Sequence, residues 1–362
     1  NPDVFRNKTI LLPCDDPEWS NFTKFFAQNF KRFGLKKLIS TSYAHESKNI
    51  SEPYQLTLFE SESPKFDKAK TKTHGKIFTL EKDINDSGSI DINDLEWDYL
   101  DGDGDFRSDE VKKLRDEADI IITNPPFSLF REFLNWIMKG KKKFLIIGSI
   151  NCITYKEVFP LIKENQIWLG NGMGRWISGF IVPKGYDLYG SEARIDKEGN
   201  RIVATNSCLW LTNLEHGKRH QPLMLMSYED NLKYSKHKNV RKSGYPKYDN
   251  YDAIDVPFTD SIPSDYKGIM GVPVTFLDKY NPDQFKIIGL GNGAELFGPN
   301  KIYKNPVMHK NGKMSNGNAI NRVLVYRTTE DSNVYYTADN VDYPLFAPYA
   351  RILIELKEEN ND

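Results

Sequence analysis

Asn124-Pro125-Pro126-Phe127 is the stretch of this 362-residue chain whose residue types and order could do chemistry. It follows a run of apolar β-formers ending at Thr123, and two adjacent prolines can neither continue a strand ladder nor sit inside a helix. An exocyclic amine on a nucleobase is a poor nucleophile, because its lone pair is delocalised into the ring. Alkylating it requires two acceptors close together, which hold both amine hydrogens and pull the nitrogen towards a pyramidal form. The Asn124 side-chain oxygen and the Pro125 carbonyl can be those acceptors. Pro125 and Pro126 remove competing N–H donors and stiffen the turn, and Phe127 can stack on the planar ring. Asn and Pro also make ordinary turns, but the position directly after a buried strand favours the chemical reading.

Other segments offer partners for such a site. Cys14-Asp15-Asp16-Pro17 and Ser20 follow the first apolar strand, where many α/β proteins place a Gly-rich phosphate loop. There is no GxGxxG here, which disfavours a dinucleotide pyrophosphate. Two carboxylates suit a cationic or hydroxyl-bearing ligand instead, such as the α-amino group of S-adenosylmethionine; helix capping is the plainer alternative. Residues 101–110 invite a calcium reading, but Tyr99 would fall at the first loop position, where a carboxylate is required. A tight acidic turn is favoured, with Asp105 accepting from an adenine amino group and Phe106 stacking on the ring. Lys233, Lys236, Lys238, Arg241, Lys242 and Lys247 are interleaved with Tyr234, Tyr245 and Tyr248, a pattern that can neutralise phosphates and stack on bases. Arg175 and Trp176 form a second candidate nucleic-acid contact in a Gly-rich loop.

The elements that must position these residues alternate. Residues 8–14, 36–43, 76–81, 119–123, 142–150, 166–170 and 206–214 read as strands. Residues 20–33, 108–118, 129–140 and 155–165 read as helices. Such alternation predicts an α/β fold with a mostly parallel sheet and ligands beyond the carboxyl ends of its strands. After about residue 216 helical periodicity fades. Short strand candidates at 272–277, 286–290, 322–327 and 350–356 suggest a second, mixed or β-rich domain. The expected division is 1–215 and 216–362, with the last strand able to return to the first domain. Charged residues at 27% and a net charge of −1 are ordinary for a globular protein and exclude a wholly basic one. Three scattered cysteines with no CxxC pair argue against a disulfide framework or a zinc site. No apolar run approaches a membrane-spanning length.

Taken together, residues 14–26, 34–43, 102–108, 124–133, 142–170 and 271–290 resemble the EcoRI-type adenine-specific (N6) DNA methyltransferases, in order and over nearly the whole chain. The resemblance implies a Rossmann-like methyltransferase domain followed by a target-recognition region. It implies S-adenosylmethionine as cofactor, no metal, and double-stranded DNA as partner. Asn124, Pro125, Pro126 and Phe127 carry over as the catalytic turn, Asp15, Asp16 and Pro17 as the first cofactor motif, and Asp105 and Phe106 as the adenine-contacting motif. Asn124 also borders the cofactor. The acidic residue that closes the second strand in the family is absent, which leaves Thr41, Ser42 or Tyr43, or Glu46 reaching back, for the ribose; Ser20 is counted with the cofactor residues. A DEFYT-like segment that precedes this region in the family is not in the sequence; a longer chain upstream or weaker cofactor binding would account for that. DNA contacts fall to Arg175, Trp176, Lys236, Lys238, Arg241, Lys242 and Tyr245. The implied setting is cytoplasmic restriction–modification or host defence by a monomer, with a cognate restriction endonuclease acting on the same site as an open partner. Cytosine N4, RNA, a protein glutamine amide, or a catalytically silent DNA-binding role remain the alternatives.

Overall fold

Apolar runs buried on both faces set the central strands. In the computed structural model the sheet they anchor contains β1 (Thr9–Leu12), β2 (Lys37–Ser42), β3 (Lys76–Leu80), β4 (Glu96–Tyr99), β5 (Ile120–Thr123) and β6 (Lys143–Ser149), with β4 alternating exposed and half-buried residues. Every residue of β1 and β5 is buried, as expected of strands covered on both faces. The structure describes residues 2–15, 20–44, 64–82, 94, 96–173, 180–182, 185, 187–188, 193–203, 208–291, 299–329 and 332–357. The chain divides into two units, residues 1–150 with 174–214, and residues 151–173 with 215–362.

In the first unit the strands run in the order β4-β3-β2-β1-β5-β6, followed by Cys208–Thr212. The four central strands are parallel, whereas β3, β4 and Cys208–Thr212 pair antiparallel, so the sheet is more mixed than the alternation predicts. The chain leaves β1 for β2 on one side and returns later to β5 on the other. Strand order therefore reverses at β1, and the crevice beyond the carboxyl ends of β1 and β5 is the switch point where open α/β sheets bind ligands.

The helix expected over 20–33 forms as two pieces, α1 (Asn21–Gln28) and α2 (Phe30–Phe33). Asn29 breaks it by turning its side-chain amide back onto the Phe25 carbonyl at 2.9 Å. Ser20 caps α1 by accepting from the Phe22 N–H at 3.1 Å, and Gly34 ends α2 at φ 62°. The phenylalanine periodicity is real: Phe26, Phe30 and Phe33 pack with Ile10, Leu12, Leu38, Ile120 and Ile122. Each such ring contributes about 1.5–3 kcal/mol by leaving water. Lys68–Thr73 (α3), Asp109–Glu117 (α4) and Phe130–Lys139 (α5) follow, with Ser108 capping α4 through the Val111 N–H. A small antiparallel sheet of Phe180–Val182, Arg201–Val203 and Arg194–Ile195, not expected from the sequence, completes this unit.

The second unit holds two further sheets. One orders Ala253–Asp255, Ile269–Pro273, Arg351–Leu356 and Phe285–Leu290; the other is a five-stranded antiparallel sheet built from residues 307–346. Three expectations are corrected here. The last strand, Arg351–Leu356, does not return to the first unit but lies between Ile269–Pro273 and Phe285–Leu290. Residues 151–173, expected in the first domain, group with the second unit, where Trp168 lies 3.6 Å beneath the Arg219 guanidinium. The strand expected at 272–277 stops at Pro273 and continues as a 3-10 helix, Val274–Lys279. Proline supplies no N–H for a further ladder bond. Among the described residues no helix is long and apolar enough to cross a membrane.

Candidate active site

At the end of β5 the environment inverts within one residue. Thr123 is buried, Asn124 is exposed, Pro125 is buried, and Pro126 and Phe127 are exposed. Phe127 keeps 46% of its surface in water, although the strand it follows has none. The turn is stiff for local reasons. Proline fixes φ at two successive residues. Pro126 then leads into a 3-10 turn, Phe127–Leu129, closed by the Leu129 N–H on the Pro126 carbonyl at 3.0 Å, and α5 continues from Phe130. Asn124 and Phe127 are thus a polar and an aromatic group presented together at the ligand edge of the sheet.

Behind the turn stands Asp15, beyond the carboxyl end of β1. It is 5% exposed. Its carboxylate accepts from the Thr123 hydroxyl at 2.5 Å and from the Ser20 hydroxyl at 2.8 Å. Its carbonyl accepts from Thr23 at 3.2 Å and from Ser40. Burial pushes the Asp15 carboxyl up to about 6, and the donors from Thr123, Ser20 and Asn124 offset part of that rise. The neighbouring Cys14 thiol is pushed up to about 12 by burial and by the Asp15 charge, so it stays protonated. Asp15 and Ser20, expected to face a cofactor, find bonding partners within the protein. Both are engaged with the scaffold, Ser20 as helix cap and Asp15 as the tie between β1, β2, α1 and β5. Thr41 does likewise: it is fully buried and donates to the Pro13 carbonyl at 3.0 Å.

The acidic turn forms the neighbouring rim, beyond β2. Gly104 sits at φ 86°, and a Cβ there would lie 2.4 Å from the Ser42 carbonyl, so only glycine lets the turn press onto the end of β2. The Ala44 N–H reaches the Asp103 carbonyl at 2.8 Å. Asp105 accepts from the Tyr43 hydroxyl at 2.9 Å and from the Arg107 side chain at 2.9 and 2.6 Å. Those Arg107 bonds, ahead of the Tyr43 bond, hold its carboxyl down at about 2, while burial and Asp105 push the Tyr43 hydroxyl up to about 12. Phe106 is corrected: it is 4% exposed, edge-on to Phe133 and Trp136 at 5.1 and 5.7 Å, and offers no face for stacking. Glu110, at the last position of the calcium-loop pattern, caps the turn instead by accepting from the Asp101 and Gly102 N–H groups.

Of the expected nucleic-acid residues, Lys236, Lys238, Arg241, Lys242 and Tyr245 belong to the second unit, and Arg175 and Trp176 fall outside the described residues, as do the expected cofactor residues Asp16, Pro17 and Glu46. The basic segment is not a loop. It holds the helices Tyr228–Tyr234 and Lys238–Ser243. Tyr245 is corrected from a contact residue to a core residue, 6% exposed, with its hydroxyl on the Ser261 carbonyl at 2.5 Å. Lys236 pairs with Asp260 at 2.5 Å, and Arg241 donates to the Ser235 carbonyl. Lys238 and Lys242 are exposed. The supporting roles of Thr123, Thr23 and Ser40 were missed by sequence reasoning. Their signal was a hydroxyl residue in or beside a strand that is otherwise apolar.

Comparison with known proteins gives the family. The family model described as adenine-specific methyltransferase EcoRI matches residues 2–357. The type II methyltransferase M.EcoRI of Escherichia coli is 48% identical over 292 residues, covering 80% of this chain and 81% of that protein. The type II methyltransferases M.MgeORF184P of Mycoplasma genitalium and M.MpnI of Mycoplasma pneumoniae are 36% and 34% identical, covering 78% and 79% of this chain and 76% of each relative. No solved structure matches. With almost every residue inside the family match, and with the exposed Asn124-Pro125-Pro126-Phe127 turn at its ligand edge, the chain belongs to the EcoRI family of adenine-specific methyltransferases.

Proposed function

We propose that the chain methylates N6 of an adenine flipped out of double-stranded DNA, using the Asn124 side-chain oxygen and the Pro125 carbonyl to hold the amine hydrogens and Phe127 to stack on the base. The observation that carries this reading is the joint exposure of Asn124 and Phe127 beyond β5, beside the strand-order reversal. Holding both hydrogens localises the nitrogen lone pair and aims it, so catalysis by this chain is positioning and electrostatics. S-adenosylmethionine, when bound, supplies a methyl carbon made electrophilic by its sulfonium. The first unit is then the Rossmann-like cofactor domain and the second contributes target recognition. The rim of Tyr43, Asp103 and Asp105 suits such a ligand, because its carboxylates favour a cation. Arg107 is half exposed, so its bonds to Asp105 are replaceable by a ligand amine or hydroxyl. Exposed Lys238 and Lys242 are the cations we assign to DNA phosphates. The names of the relatives as type II methyltransferases support a restriction–modification setting.

The test uses labelled S-adenosylmethionine and unmethylated genomic DNA, with nucleoside digestion and mass spectrometry. The expected product is N6-methyldeoxyadenosine. Label in N4-methyldeoxycytidine, or only in RNA or protein, overturns the reading.

A further inference from the structure

Pro125 and Pro126 carry no N–H, so the Asn124 N–H is the only backbone donor in the first three residues of the turn. The turn is held from the residue before it: the Thr123 hydroxyl donates to the buried carboxylate of Asp15 at 2.5 Å, and the Asn124 N–H lies near enough to that carboxylate to favour its charge. The grip is rigid on the other side. The Asp15 carbonyl is held by Thr23 from α1 and Ser40 from β2, and these two hydroxyls are 3.0 Å apart. Among the described residues, the side chains bonded to Asp15 are neutral. A carboxylate buried among neutral partners costs several kcal/mol of desolvation. A purely structural tie could be made with uncharged groups. What the charge adds is strength and direction, because hydrogen bonds to an ionised acceptor are about twice as strong as neutral ones.

Resting on the catalytic reading of Asn124 above, we propose that Asp15 is a positioning residue for methyl transfer: by holding the hydroxyl of Thr123, the residue that leads into the turn, it fixes where the Asn124 side-chain oxygen meets the target amine. It does not ligate the cofactor, since its oxygens point into the scaffold. Asn in place of Asp15 keeps the shape but offers one acceptor oxygen and an NH₂. One of the two hydroxyls, Thr123 or Ser20, must then face the NH₂ and give up its charged acceptor. The turn then shifts, and a displacement of about 1 Å in a reacting geometry costs about 100-fold in rate.

The experiment compares Asp15→Asn, Thr123→Val, Thr123→Ser and Asn124→Ala with the unaltered chain. The readouts are kcat and KM on DNA, S-adenosylmethionine affinity by calorimetry, and thermal unfolding. Asp15→Asn is expected to lower kcat about 10- to 100-fold while cofactor Kd and DNA KM stay within about threefold. Thr123→Val should lose kcat by a smaller factor, and Thr123→Ser should restore it. If Asp15→Asn weakens cofactor binding more than tenfold with kcat at saturation intact, Asp15 is a cofactor ligand and the proposal is overturned. Unchanged kcat in Asp15→Asn also overturns it, provided Asn124→Ala is inactive. Normal turnover in Asn124→Ala removes the catalytic reading itself, and this inference with it. Should Asp15→Asn not fold, the Thr123 pair decides: equal kcat in the valine and serine variants overturns the proposal.

Discussion

Residues 124–127 and residues 233–248 look alike in sequence: each mixes turn formers with polar and aromatic groups that could meet a nucleobase. The structure separates them. In the first, Asn124 and Phe127 face water while the groups behind them, Thr123 and Asp15, are buried and bonded to one another. In the second, Tyr245 and Tyr248 are buried, with hydroxyls on the Ser261 carbonyl and the Asp255 carboxylate, and Lys236 is paired with Asp260. Composition that suggests chemistry becomes a site only where the reactive groups face outward and a buried set holds them there. Where the aromatics turn inward, the same composition is scaffold.

The largest effect should come from the exposed member of the first region. Asn124→Ala removes one of the two acceptors that hold the target amine. Loss of a single preorganised hydrogen-bonding group of this kind costs about 100- to 1,000-fold in kcat. Thermal unfolding should be unchanged, since the side chain is exposed and alanine keeps the neighbouring bond from Thr123 to Asp15. Single-turnover methylation measures this directly. A fall in melting temperature matching the loss of rate would make the turn scaffold after all.

The second region breaks the other way. Tyr245→Ala should cost about 3–5 kcal/mol of stability, as expected for emptying a buried aromatic site. Tyr245→Phe should cost only about 1 kcal/mol, the worth of the bond to Ser261. Urea unfolding separates the two. DNA affinity of the folded phenylalanine variant should equal that of the unaltered chain; weaker binding there would return Tyr245 to an interface role.

Much of this was legible because β1 and β5 are fully buried: Thr9–Leu12 and Ile120–Thr123 are apolar apart from one threonine each, a pattern that has few other uses. Asn124 was legible because two prolines after such a strand admit few conformations. Asp15 was readable as a site residue but not in its role, since a carboxylate after a first strand looks the same whether it faces a ligand or a threonine 108 residues away. Phe106 failed for the same reason, its partners Phe133 and Trp136 lying a helix away in sequence. Of the interleaved tyrosines, Tyr234 is 71% exposed and Tyr245 is buried. That choice depends on the Ser261 carbonyl, which local periodicity does not register.

A smaller effect should follow from Phe127→Ala. Base–aromatic stacking is worth about 1–3 kcal/mol by alanine substitution, so kcat/KM should fall about 10- to 100-fold. Phe127→Trp should retain most of the activity, since a larger face still stacks, whereas Phe127→Leu should resemble alanine. An exposed ring that served only folding would reverse this pattern, with leucine tolerated and stability lost in proportion to activity.

The smallest effect lies back in the second region and divides it internally. Lys238 and Lys242 are exposed, whereas Lys236 is already paired with Asp260. Each phosphate left without its cation should lower the slope of log affinity against log salt by about 0.9. Lys238→Gln with Lys242→Gln should therefore reduce the slope by roughly 1–2 and weaken binding evenly across sequences. Lys236→Gln should leave the slope almost unchanged, because its charge is already neutralised in the free protein. Fluorescence anisotropy over a salt series distinguishes the two. A slope that fell equally for all three lysines would mean that the ion pair with Asp260 opens on DNA. The contrast between outward chemistry and inward scaffold would then hold for the tyrosines of this segment but not for its cations.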